Sequence, residues 1–241
     1  MAPPRSVSRE RASKAITISN LRFRWSQKTP IVLDIEALQI HQDERIFIAG
    51  PSGSGKSTLL SLLAGVVTPQ QGQVSVLGQR IDQLNSVKRD HFRSDHIGFI
   101  FQMFNLISYL SVVENVTLPC QFSKRRRAKV LSRAASLREE ALRLLAHLDM
   151  ADPELLNRPV TDLSVGQQQR VAAARALIGA PEIVIADEPT SSLDADNREA
   201  FVNLLFQECQ QEGSTLVFVS HDVFLESLFD RTIRLAEINR A

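Results

Sequence analysis

The run Arg45-Ile-Phe-Ile-Ala-Gly-Pro-Ser-Gly-Ser-Gly-Lys-Ser-Thr58 holds a short apolar stretch, a glycine-rich turn and the start of a helical pattern, in that order. The apolar half reads as a buried strand. Residues 57–64 read as a helix, with Gly65 as its C-cap. The turn between them fits the spacing G-x-x-x-x-G-K-S/T, and that context makes it a phosphate cradle. Gly50, Gly53 and Gly55 lack a Cβ, so the backbone N–H groups of a loop that also holds Pro51, Ser52 and Ser54, every residue but the proline carrying one, can curl about phosphate oxygens. The helix behind them points its positive end at the same anion. Lys56 supplies a point charge for the β- and γ-phosphates, and the Ser57 hydroxyl, followed by Thr58, is a hard oxygen ligand suited to Mg²⁺.

A second strand pattern, Glu182-Ile-Val-Ile-Ala-Asp-Glu188, ends in two acids. Asp187 is placed to hold Mg²⁺ through water beside Ser57. Glu188 is placed to face the γ-phosphate and orient or deprotonate the attacking water.

Around these two motifs the chain alternates strand, loop and helix. Ile16 and Ile18, then Leu21, Phe23 and Trp25, alternate as half-buried strands do, and 73–77, 97–101, 183–186, 215–220 and 232–235 are further strand candidates. The pattern predicts an α/β fold with a largely parallel sheet covered on both faces. Strand signal is sparse between about 108 and 181. There Val130, Ala134, Leu137, Ala141, Leu144 and Leu148 step onto one helical face, and Glu139 and Arg143 are spaced as an i,i+4 pair. A helical subdomain at about 106–180 is expected, inserted into a core of 15–105 and 181–241. Residues 1–14, with a local charge of +3, two prolines and three serines, are expected to be a disordered basic tail ahead of a single domain, 15–241.

Composition narrows the function. The 241 residues are 44% hydrophobic and 23% charged, ordinary for a globular chain. Twenty-eight basic against 27 acidic residues give +1, so bulk charge does not argue for nucleic acid. Cys120 and Cys209 lack metal-type spacing, and no apolar run is long enough to cross a bilayer. Without a secretory h-region, a cytosolic protein is expected, one that needs an anchor elsewhere if it works at a membrane.

With further motifs in order, the sequence resembles the nucleotide-binding subunits of ATP-binding-cassette (ABC) systems over about residues 15–238. Leu163-Ser-Val-Gly-Gln167 resembles the ABC signature and Ser191-Ser-Leu-Asp194 the D-loop. Gln102 stands where the Q-loop glutamine belongs, His221 where the switch histidine belongs, and Trp25 where an aromatic residue stacks on adenine. The resemblance implies a P-loop core with a largely parallel sheet, antiparallel N-terminal strands and an inserted helical subdomain. It implies ATP hydrolysis with Mg²⁺, in which Glu188, His221, Gln102 and Lys56 act on the chemistry and Ser57, Gln102 and Asp187 serve the metal.

It also implies two copies sandwiching ATP. Each nucleotide would lie between one chain's phosphate loop and the other chain's Ser164, Gly166 and Gln167, with Asp194 at the seam. Two departures stand out: Val165 where glycine is usual in the signature, which bears on hydrolysis rate, and Trp25 where tyrosine is usual.

The implied partners are separate membrane permease subunits, with the chain peripheral on the cytoplasmic face of the inner (plasma) membrane. Residues 101–119 and 163–193 look most like the lipoprotein-release, macrolide-exporter and cell-division subgroup, whose permeases have few spans and large periplasmic domains. In that setting Phe104, Leu106, Ile107 and Tyr109 are candidates for a groove receiving a partner's cytoplasmic helix, or else pack inside the helical subdomain. Lys124-Arg-Arg-Arg127 with Lys129 either meets anionic headgroups or an acidic partner loop, or is a solvated loop. The alternative function is a soluble or regulatory ABC ATPase that signals without moving a solute. Against a DNA-maintenance role, Lys56 and Asp187 lie 131 positions apart and the stretch between them holds no sustained heptads.

Overall fold

Two sheets organise the chain, of which a computed structural model describes residues 13–156, 158–191 and 193–241. The strands are β1 (Lys14–Phe23), β2 (Leu33–His41), β3 (Arg45–Ala49), β4 (Gln71–Val76), β5 (Gln79–Arg80), β6 (Ile97–Ile100), β7 (Ile183–Asp187), β8 (Thr215–Val219) and β9 (Arg231–Arg234). One sheet is antiparallel, in the order β2-β1-β4-β5. The other is parallel, in the order β6-β7-β8-β3-β9.

The central parallel strands are apolar along their middles because both faces are covered. Alternation splits each one between two cores. Phe47, Val184, Ala186, Leu216 and Phe218 enter one cluster, and Ile46, Ile48, Ile183, Ile185, Val217 and Val219 enter the other. The second cluster also takes Ile16, Ile18, Leu21 and Phe23, so it joins the two sheets. The slip from Ile18 to Leu21 has a local cause. Asn20 adopts a left-handed φ of 50°, and pairing with β4 shifts between Ser19 and Arg22.

The helices are α1 (Lys56–Leu63), α2 (Ser86–His96), α3 (Val112–Thr117), α4 (Pro119–Phe122), α5 (Lys124–Leu131), α6 (Leu137–His147), α7 (Pro153–Leu156), α8 (Val165–Leu177), α9 (Ala195–Glu212) and α10 (Leu235–Ile238). The segment between β6 and β7 carries α3 to α8. Their packing faces join Val112, Val116, Leu144, Leu148 and Val171 to the first cluster.

Three readings of this segment need correction. The apolar face from Val130 to Leu148 belongs to two helices, because Ser136 starts a new one by accepting from the Glu139 N–H at 3.1 Å while Glu139 accepts from the Ala135 N–H. Glu139 therefore caps, and Arg143 pairs with buried Glu140 at 2.9 Å and reaches Glu208 of α9 at 3.5 Å. The basic cluster is not a solvated loop. Arg126, 2% exposed, donates to the carbonyls of Ala176 (2.6 Å) and Ile178 (2.7 Å) at the end of α8. Arg125 and Lys129 bind Glu182. With His96, they hold its carboxyl well below the usual carboxylate range against the opposing effect of burial.

The tail expected over residues 1–14 lies outside the described residues up to residue 12, and Lys14 already pairs with His41 in β1. Among the described residues no helix is long and apolar enough to cross a membrane.

Candidate active site

The phosphate loop joins β3 to α1. Gly53 and Gly55 take φ values of +78° and +98°, and a Cβ on Gly50 would stand 2.7 Å from Ser54 Oγ. These are positions where the loop has no room or no tolerance for a side chain. The Lys56 ammonium turns into the loop, donating to the carbonyls of Gly50 (2.7 Å) and Pro51 (2.9 Å). Ser54 Oγ is buried and has no hydrogen-bond partner among the described residues. An orphaned hydroxyl in a glycine-rich loop at a helix N-terminus fits a phosphate oxygen.

β7 delivers the acids beside this loop. Asp187 ends the strand paired with Val219, and Glu188 follows with a φ of 46°, a left-handed backbone held by its N–H donating to the Val219 carbonyl at 2.9 Å. Such a residue stores about 1–3 kcal/mol of strain, which the neighbouring strand must hold. Glu188 Oε2 lies 2.6 Å from His221 Nδ1, and its Oε1 lies 3.8 Å from the Lys56 ammonium. Burial pushes the Asp187 carboxyl above its ordinary value. A hydrogen bond from Ser57 opposes that shift, the Glu188 charge adds to it and the Lys56 charge opposes it. A carboxylate and a hydroxyl, both hard oxygen donors and already in contact, form a donor set that fits Mg²⁺.

A cavity of about 730 Å³ gathers most of the expected residues. Ser52, Gly53, Gly55, Lys56, Ser57 and Thr58 line it from the loop and α1, together with Gln102, Glu188, His221, Trp25 and Val32. Gly50, Pro51, Ser54 and Asp187 adjoin lining residues along the chain but are not themselves part of the lining. Trp25 lies beyond the end of β1, 59% exposed, with its indole edge-to-face on Phe23 at 5.1 Å. Val32 is a member that sequence reasoning missed, since an isolated valine in a loop carries no signal.

The remaining expected residues line a separate cavity of about 480 Å³. Ser164 caps α8 in a reciprocal box. Its Oγ accepts from the Gln167 N–H (3.3 Å), and its N–H donates to Gln167 Oε1 (2.9 Å). Val165, 48% exposed, is the first helical residue, and a Cβ on Gly166 would meet only Leu193 at an ordinary 3.5 Å. Asp194 caps α9 through the Asn197 N–H at 3.0 Å, a bond that lowers its pKa. Ser192 of the expected D-loop lies outside the described residues. Among the described residues the two cavities share no lining residue.

A third, apolar hollow of about 590 Å³ lies between α2, α4 and residues 99–107. Phe99, Phe101, Leu118 and Phe122 line it. Of the four groove candidates read from the sequence, only Ile107 does. Leu106 packs on the core, Phe104 is half-buried and Tyr109 faces solvent.

Comparison with known proteins agrees with this geometry. Residues 33–191 match the ABC transporter family. The lipoprotein-releasing system ATP-binding protein LolD of Psychrobacter arcticus is 37% identical over 222 residues, 92% of this chain and 94% of that protein. An uncharacterized ABC transporter ATP-binding protein of Escherichia coli K12, YbbA, is 40% identical over 198 residues, 82% of this chain and 83% of that one. The dimeric ATP-binding cassette MJ0796 bound to ADP and Pi superposes with a TM-score of 0.79 at 34% identity, over 91% of this chain and 93% of that one. The chain therefore belongs to the ABC transporter family as one of its ATP-hydrolysing chains, with Mg²⁺ as cofactor and a membrane ABC complex as the machine it powers.

Proposed function

We propose that two copies of this chain close on ATP head to tail, each hydrolysing with a wall borrowed from the other, and that closure does work on membrane subunits. The observation that carries this reading is the separation of the two cavities. A phosphate loop with its base stands at one, and the capped N-terminus of α8 at the other. A positive helix end with its own donors is a natural lid for a triphosphate held elsewhere.

Within each half the roles follow from position. Trp25 stacks on adenine. The residues from Gly50 to Thr58 cradle the phosphates, with Lys56 exchanging its carbonyl partners for phosphate oxygens. Ser57, Asp187 and Gln102 would hold Mg²⁺, which supplies charge neutralisation across the terminal phosphates. Glu188 takes the proton of the attacking water, oriented by His221, and Gln102 reports on that water from the loop that leads to the apolar hollow. Ser164, Gly166 and Gln167 serve the partner's nucleotide, and Asp194 couples the two sites.

The hollow beside α2 and α4 suits an apolar helix from a membrane subunit, and with such a partner the chain would work peripherally, on the cytoplasmic face of the membrane. Relatives named as lipoprotein-releasing system ATP-binding proteins support the lipoprotein-release subgroup, for which the expected partner is a permease with few spans and a large periplasmic domain. Mixing inactive variants tests the pairing. Lys56→Ala and Ser164→Arg are each expected to be silent alone. Their equimolar mixture is expected to recover up to about a quarter of parental turnover, because half the pairs are mixed and each mixed pair keeps one intact site. A mixture as silent as its components would exclude shared sites.

A further inference from the structure

The loop of residues 101–111 runs between the nucleotide cavity and the apolar hollow, and one side chain holds it from behind. Arg175, in the last turn of α8 and nearly buried, donates from Nη1 to the Asn105 carbonyl at 2.6 Å and from Nη2 to the Phe104 carbonyl at 2.5 Å. Both acceptor residues have left-handed backbones, with φ values of 58° at Phe104 and 50° at Asn105. Side-chain-bearing residues stay there only when their surroundings hold them. The turn is closed by the Phe104 N–H donating to the Phe101 carbonyl (3.0 Å) and the Asn105 N–H to the Met103 carbonyl (2.6 Å). Gln102 lies within that turn and lines the nucleotide cavity, while Phe101, Asn105 and Arg175 line the hollow.

Charge pairing does not account for this arginine. Among the described residues no carboxylate lies within ion-pair distance of it, and burial pulls its pKa below the ordinary value. What satisfies the guanidinium is the pair of carbonyls, reached by a planar fork that lysine cannot reproduce. The helix that carries it begins at Ser164. Signature, Gln102 turn and hollow thus meet at one residue.

We propose that Arg175 is the positioning residue for Gln102. It locks the turn 101–105 to the signature helix, so that a load on the hollow moves Gln102 and the signature together. This rests on the role given to Gln102 above.

A double-variant cycle on the full chain tests it, with ATP turnover as one readout and ATP affinity from fluorescence of Trp25, the single tryptophan, as the other. Arg175→Met is expected to lower kcat about tenfold while leaving the ATP Kd within about twofold. Arg175→Lys is expected to restore less than about half of the loss, having one ammonium for two carbonyls. Added to Gln102→Ala, Arg175→Met is expected to lower kcat by less than about twofold more, because two residues acting through one element are not additive. A merely structural arginine would multiply the losses. If the Met variant does not fold, the Lys variant carries the same cycle. Multiplied losses over a defective Gln102→Ala overturn the link alone. A Gln102→Ala variant with parental kcat overturns the link and the role of Gln102 together.

Discussion

The imidazole Nδ1 of His221 stands 2.6 Å from one carboxylate oxygen of Glu188, whose other oxygen faces the Lys56 ammonium at 3.8 Å. One carboxylate is thus gripped from both sides, by a residue after β8 and a residue in α1. Its backbone is fixed by the same Val219 carbonyl that ends β8. In the base role proposed for Glu188, a carboxylate held this way would have its direction set before substrate arrives, and direction is what a water-activating carboxylate must supply.

Replacing Glu188 with glutamine keeps the shape and a hydrogen bond to His221 but removes the proton acceptor. Turnover is expected to fall by about 10²- to 10⁴-fold, the range for loss of general-base catalysis. Nucleotide affinity is expected to persist, so that ATP-bound pairs accumulate. Phosphate release and light scattering in Mg-ATP measure the two effects. Parental turnover would take the base role away from Glu188.

Asp187 gives a stability prediction of opposite sign to its functional one. Burial raises its folded pKa, so the folded state favours the protonated acid. Its contribution is therefore fully favourable below the ordinary aspartate value and is lost as pH rises through the raised folded value. At neutral pH the charge works against the fold. Asp187→Asn is expected to raise the melting temperature in EDTA and flatten its dependence on acid pH, while removing Mg²⁺-dependent hydrolysis. Thermal melts across pH, set beside turnover, check both halves. A lower melting temperature at neutral pH would contradict the sign.

Arg126 is expected to be structural. Burial lowers its pKa to about 10, and it nonetheless closes the C-terminus of α8 through two carbonyls. Arg126→Met leaves those carbonyls without a charged donor and is expected to destabilise the chain by about 2–3 kcal/mol, with ATP affinity unchanged. Gly179→Ala should act in the same direction, since its φ is +73° and its Cβ would stand 2.6 Å from the Cβ of Arg126. Urea titration with Trp25 fluorescence gives both numbers. An unaltered midpoint for Arg126→Met would return the basic cluster to a surface role.

The cradle was legible because its geometry is local. Two glycines with positive φ, a lysine and a serine specify the loop within nine residues, and the flanking strand and helix carry their own periodicities. The strands of the parallel sheet were legible for the same reason, and their observed bounds fall within two residues of the expected ones. The break between α5 and α6 was hidden because the apolar steps at Val130, Ala134 and Leu137 continue in phase across it. The Ser136-x-x-Glu139 spacing was the available sign. Arg126 and Arg175 could not be read from sequence at all. Their partners are carbonyls about 50 and 70 positions away, and a carbonyl leaves no mark on composition. That Ile107 alone of the four groove candidates lines the hollow was hidden for a related reason. Tyr109 and Leu106 share an apolar run with Ile107, but the left-handed residues Phe104 and Asn105 turn the backbone so that neighbours face different ways.

Val165 sets the last prediction. At the first helical position it takes the negative φ of a helix, and its side chain stands open at the rim of the second cavity. A β-branched residue is unstrained there, and the groups that would meet a partner's phosphates are backbone N–H groups and Ser164, none of which belongs to the valine side chain. Val165→Gly is therefore expected to change kcat by less than about threefold and to lower stability by no more than ~1 kcal/mol, the helix cost of glycine. Val165→Trp, which adds bulk over the same N–H groups, is expected to lower kcat by about tenfold or more without altering ATP affinity. Steady-state turnover of the three proteins at saturating Mg-ATP separates these outcomes. A large gain from Val165→Gly would mean that the isopropyl group itself obstructs closure.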